Sequence, residues 1–319
     1  MYRRSPRTQL LLVMPLCVAT LSSWACQPRS EDGLHDRSRP VLSPSGDIFV
    51  SIRRSGRSEI YRTNGETLAK VSVTPGIDAV DGTLVPNGTM MAFVRLEADG
   101  TGAIWGGDLK KQDFRRLTPL NSNQEMMEAL PIFLSADKVV FFRSTTTRTT
   151  STFGKTWTDW RLYLLDLESG RVNLLTDESF ISISGIDSCA SASFILAGVR
   201  TEGQSRVSAF ATTADIESSR RSWRDTTQPA FRPDCKAFFS ISQRGTNEDT
   251  GHYAYELMLN DLVSGSTAQI TKLGSYVASP AVSLDGRTIV FLSDPERDDV
   301  YDLVTMDLTT LQPKVLMRF

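Results

Sequence analysis

Two histidines, His35 and His252, are the only imidazoles in this 319-residue chain. A Ser-His-Asp site built on His252 needs a nucleophile presented on a strained turn. The GxSxG elbow is absent, as are HExxH and paired CxxC motifs. His252 therefore reads as a solvated loop residue. "GTGAIWGGD", from Gly100, has the glycine content of a phosphate loop, but such a loop must hand over to a helix N-terminus. Here it lies between two strand patterns, so its glycines are expected in turns. "SDPERDD", Ser293 to Asp299, gathers Asp294, Glu296, Asp298 and Asp299 without the central glycine and closing glutamate of an EF-hand. It reads as a charged turn. No catalytic residue, metal ligand or cofactor is expected from these motifs.

The chain begins with Arg3, Arg4 and Arg7, followed by an apolar run, Leu10 to Leu21, that Pro15 interrupts. This is the layout of an export signal, too short for a comfortable membrane span. Residues 1–25 are expected to be removed and 26–38 to form a polar linker. Ser23-Trp24-Ala25 before Cys26 resembles a bacterial lipoprotein signal, although Ser23 stands where leucine is usual. The resemblance implies a lipidated Cys26 and a periplasmic or surface protein held to a membrane, with plain secretion as the alternative. Without the leader, 32 basic residues face 37 acidic ones. That balance gives no electrostatic reason to bind nucleic acid.

The remaining sequence must position any site, and it repeats. "SPAVSLDGRTIVFLSD" from Ser279 has counterparts at "RPVLSPSGDIFVSI" (from Arg39), "GTLVPNGTMMAFV" (Gly82), "LPIFLSADKVVFF" (Leu130), "SGIDSCASASFIL" (Ser184) and "QPAFRPDCKAFFSI" (Gln228). The spacing runs from 42 to 52 residues. Second halves such as "YLLDLESGRVNLLT" add alternating strands, an Asp-Leu pair and a closing Leu-Thr or Ile-Thr. Period-two alternation broken by Gly, Asp and Ser marks short strands and hairpins. Four strands per unit in tandem predict an all-β fold, a six-bladed β-propeller of four-stranded antiparallel blades over residues 39–319.

"SPAVSLDGRTIVFLSD" with "VYDLVTMDL", and "QPAFRPDCKAFFSIS" with "YELMLNDL", resemble the WD-like repeat of the TolB-type propeller. The resemblance is to the propeller alone, the stretch Gln27 to Ser38 being too short to match the α/β domain that family carries ahead of it. The resemblance implies work in the cell envelope. Propellers of this kind that act as sugar lyases hold a metal with several histidines, a set this chain lacks. How the ring closes stays open between residues 27–38 and direct packing of the first unit on the last.

Cys189 and Cys235 occupy matching turns of the fourth and fifth units. Neighbouring units bring such turns close, so the two form either a disulfide or a pair of thiols slightly too far apart. Neither has the surroundings of a redox-catalytic cysteine. Three enlarged loops, Ser144 to Trp160, from Gln243, and from Pro119, are expected on one face. They offer Met126, Met127, Phe153, Trp157, Trp160, His252 and Tyr253 as a binding surface. Alternatively, the tryptophans fold back on their own unit. The expectation is a non-enzymatic module that binds an envelope protein, with a carbohydrate-binding propeller or glycan-acting enzyme as the alternative.

Overall fold

The computed structural model describes residues 33–34, 38–71, 78–97, 99–119, 125–150, 154–189, 194–211, 221–247, 251–296 and 300–318. The expected leader, Cys26, His35 and Phe153 lie outside the described residues. No described residue is helical, and the strands form a β-propeller of antiparallel four-stranded sheets.

The first sheet is β1 (Val41–Leu42), β2 (Ile48–Arg54), β3 (Arg57–Thr63) and β4 (Leu68–Lys70). Next come β5 (Asp78–Leu84), β6 (Met90–Leu96), β7 (Gly102–Asp108) and β8 (Asp113–Arg116). They join β9 (Met127–Ser135), β10 (Lys138–Ser144), β13 (Arg161–Asp166) and β14 (Val172–Leu174) in one eight-stranded sheet. One parallel pair, Gly102 with Met127, bridges its two halves. Between β10 and β13, β11 (Thr146–Thr150) and β12 (Gly154–Thr158) form a separate two-stranded ribbon. Three further four-stranded sheets complete the chain. They are β15 (Ser182–Cys189), β16 (Phe194–Thr201), β17 (Gln204–Ala211) and β18 (Ser222–Arg224); β19 (Thr227–Phe231), β20 (Ala237–Thr246), β21 (Tyr253–Asp261) and β22 (Thr267–Gln269); and β23 (Tyr276–Val282), β24 (Thr288–Asp294), β25 (Asp302–Asp307) and β26 (Pro313–Met317).

The repeated Asp-Leu pair has a local physical cause. Asp108, Asp166, Asp261 and Asp307 end the third strand of their units. Each uses Oδ1 to accept backbone N–H groups of the following turn, as Asp307 does from Thr309 and Thr310 at 2.7 and 2.9 Å. The next leucine donates its own N–H to the turn between strands one and two: Leu109 to Thr89, Leu167 to Asp137, Leu262 to Lys236 and Leu308 to Arg287. One residue caps a turn and the other ties two turns together. These short turns share one face of the propeller, and the connections between strands two and three occupy the other.

The first strands pack side by side in a closed order: β1 on β5, β5 on β9, β9 on β15, β15 on β19, β19 on β23, and β23 back on β1. Between the last sheet and the first, Gly33 exchanges backbone hydrogen bonds with Arg53, and Leu34 bridges to Tyr301. Leu34 is buried among Ile52, Tyr61, Val290 and Leu303, which come from both sheets. Burying such a side chain contributes about 1.5–3 kcal/mol. This part of the expected linker therefore belongs to the seam.

The glycines of "GTGAIWGGD" correct an expectation. Gly100 does turn the chain, with φ +79, but Gly102, Gly106 and Gly107 are inside β7. A Cβ on Gly106 would stand 2.6 Å from the Met91 carbonyl, and one on Gly102 would stand 2.7 Å from Met127 Sδ. These residues are small because neighbouring strands and side chains crowd them.

Candidate functional site

The first strands do more than line the axis. Most of them carry a bulge at the same level, seen as register shifts at Val80/Thr83, Ile183/Gly185, Thr227/Ala230 and Ala278/Ala281, and opposite β10 in β9. At this level Asp81, Leu130, Gln228 and Ser279 have φ between +50 and +53. A bulge leaves a residue outside the ladder and redirects its side chain. Side chains then serve as acceptors between units: Ser279 N–H donates to Gln228 Oε1 at 2.6 Å, and Phe231 N–H donates to Asp187 Oδ2 at 2.6 Å.

Below this ring of bulges, on the short-turn face, opens an axial cavity of about 340 Å³. Leu84, Ile132, Phe133, Phe231 and Val282 supply apolar wall, while Arg39 and Asp187 supply charge. Arg39 reaches from the entry to β1 across to β15, three first strands away around the ring, where its Nη2 donates to the Ile186 carbonyl. Its Nη1 is out of solvent contact and has no hydrogen-bond partner. Burial lowers the guanidinium pKa, an effect that Asp187 and Asp81 oppose. Burial likewise raises the Asp187 carboxyl, against the pull of Arg39 and the N–H groups of Phe231 and Ser188. Counted as whole residues, Arg39 and Asp187 are partly exposed, because the cavity reaches them. The result is an apolar chamber with two opposite charges in its wall and one unsatisfied donor.

At the cavity rim a disulfide joins Cys189 to Cys235, with 5.9 Å between Cα atoms. It covalently links the ends of β15 and the β19–β20 turn.

The residues expected to form a binding surface are distributed differently. Met126, Met127 and Trp160 are buried, at 7, 5 and 7% exposure. Trp160 pairs its backbone with Phe180 in both directions and donates its indole N–H to the Trp157 carbonyl. Trp157 packs against the same core and donates its indole N–H to the Gly100 carbonyl at 3.1 Å. Met126, Met127 and Trp157 tie together the two halves of the eight-stranded sheet, Trp160 bridges to Phe180, and the three buried side chains are not a surface. His252 is exposed, its carbonyl accepting from Asn247 N–H, and Tyr253 is 60% exposed. Sequence reasoning passed over Arg39, Asp81 and Asp187. The available signal was a polar residue in phase before the Pro or Gly of several first strands, as in Arg39-Pro40, Asp81-Gly82, Gln228-Pro229 and Ser279-Pro280.

Sequence comparison matches no family model and no curated protein. Solved structures do match. TolB from Acinetobacter baumannii superposes with a TM-score of 0.58 at 15% identity, over 91% of this chain and 64% of that one. An oligogalacturonate lyase in complex with manganese gives 0.60 at 12% identity, over 90 and 78%. A Mycobacterium tuberculosis puromycin-hydrolyzing peptidase gives 0.60 at 13%, over 91 and 53%. The chain thus spans less than two thirds of the TolB and peptidase chains. At these identities the likeness establishes the propeller fold alone. It also corrects the expectation of a non-enzymatic envelope module. The fold that suggested it is shared by a lyase and a peptidase, so it does not separate binding from catalysis.

Proposed function

We propose that this chain is an exported six-bladed propeller whose axial cavity binds a small molecule with an apolar body and a carbonyl or carboxyl acceptor. The six-blade count is supported by the closed order of first-strand packing and by the single pair that bridges the eight-stranded sheet. Export, with a lipid on Cys26, is supported by the basic and apolar leader.

One observation carries the binding reading: Arg39 lines an apolar-walled cavity while its Nη1, out of solvent contact, has no hydrogen-bond partner. A charged donor left unsatisfied away from water costs about 1–3 kcal/mol or more, and a ligand oxygen that draws Nη1 round into the cavity recovers that cost. The cavity lies within the size range of small-molecule pockets, which combine apolar walls with few polar groups. Because Asp81 and Asp187 flank the guanidinium, an uncharged carbonyl suffers less repulsion than a carboxylate.

Calorimetric titration with hexanamide and hexanoate tests this. Hexanamide is expected to bind more tightly, and Arg39→Met to weaken it at least tenfold. Equal binding to wild type and Arg39→Met, or binding of neither probe, overturns the reading.

A further inference from the structure

We propose that the Cys189–Cys235 disulfide is an exchangeable lock on the rim of the axial cavity, opened by a low-molecular-weight thiol that attacks Sγ of Cys235. The two sulfurs are not equivalent. Cys189 is 3% exposed and packs among Leu196, Val207, Phe231 and Phe238. Cys235 is partly exposed, in a short turn on the surface. Its φ is +56, at the turn position held by Gly46, Gly88 and Gly286 in other units, which have φ of +87, +72 and +70. A residue with a Cβ is disfavoured there, so the disulfide occupies a turn position that other units give to glycine.

Exchange requires a thiolate to approach one sulfur in line with the bond, and access selects Cys235. The thiolate's electron pair forms the new S–S bond to Cys235. The old bond breaks, its electron pair leaves on Cys189 Sγ, and that sulfur takes a proton from solvent. Apolar burial disfavours the Cys189 thiolate, which makes it a slow leaving group on opening and a slow nucleophile on return, so the mixed disulfide forms slowly and, once formed, persists. A second thiolate attacking the mixed disulfide releases the oxidised thiol dimer and completes a two-electron reduction.

The lock acts on the strands that hold the charge pair. β15 carries Asp187, and β19 carries Phe231, whose N–H donates to Asp187. Unlocking therefore loosens the partner of Arg39. The consequence for ligand affinity rests on the cavity reading above, whereas the site of exchange does not.

The native protein is treated with glutathione, quenched, and mapped by peptide mass spectrometry, with amide hydrogen exchange measured in parallel. Glutathione is expected on Cys235 at least tenfold over Cys189, with Phe231 amide exchange accelerated at least tenfold and β5–β7 unchanged. Modification of Cys189 instead, or reaction only in denaturant, overturns the proposal. If hexanamide binds oxidised and glutathionylated protein equally, the lock fails and the cavity stands. If hexanamide binds neither form while Cys235 reacts and Phe231 opens, exchange at the rim stands and the cavity reading falls. A Cys189→Ser/Cys235→Ser double variant showing the same Phe231 opening without thiol separates loss of the bond from the adduct itself.

Discussion

The two faces of this propeller invert what loop length suggests. The face with the long, aromatic-bearing connections spends them on its own construction: Trp160 is inside the core, and Trp157 is tied to the neighbouring half-sheet. On the opposite face the connections among the described residues are short turns, yet it holds the cavity, the buried arginine and the disulfide. Short turns keep the ends of the first strands close to the axis, so charged groups converge there. The difference teaches that exposure has to be established for each side chain, because an added segment often pays its ordering entropy by burying its largest residues.

The sharpest test of this contrast is Trp160→Ala. Removing a core aromatic is expected to cost about 3–5 kcal/mol in a denaturant melt. A loss under 1 kcal/mol would return Trp160 to the surface and break the comparison. On the short-turn face, the Cys189→Ser/Cys235→Ser pair removes a crosslink closing 46 residues and is expected to cost about 3–4 kcal/mol. An unchanged melting temperature would mean that the rim is held by packing alone.

A smaller effect is expected from pH. Turn N–H groups lower the carboxyl pKa values of Asp108, Asp166, Asp261 and Asp307. Their stabilisation is fully present above the unfolded carboxylate value of about 3.9 and is lost as the pH falls through the lower folded values. Stability measured from pH 5 downward should therefore begin to fall near pH 4, and Asp307→Asn should reduce that slope. A slope identical to wild type would remove the capping account. Smallest of all, Tyr253→Ala should change stability by no more than about 0.5 kcal/mol, since its ring is exposed. A larger loss would place an unseen packing role on the long-loop face.

The strands and turns were legible because their chemistry is local. Asp307 caps groups two and three residues ahead, and the Leu308 bond joins turns of one unit. The axial site was not, because Arg39 meets Ile186 across 147 residues, a contact that exists only once the ring is closed. The ribbon was read as an enlarged loop, although "TTTRTT" is rich in β-branched residues, which favour strands over open loop. Composition alone could not say that the chain after it would turn Trp160 inward.

The Gly33–Leu34 bridge also sets a leash. It meets β2 at Arg53, beside the Ser55–Gly56 turn, on the long-loop face. Only six residues lie between Cys26 and Gly33, a reach of about 25 Å at full stretch. A chain lipidated at Cys26 would then ride with its long-loop face toward the bilayer and its cavity mouth toward the water. Its orientation would be set by two residues of the chain and not by any domain between propeller and lipid.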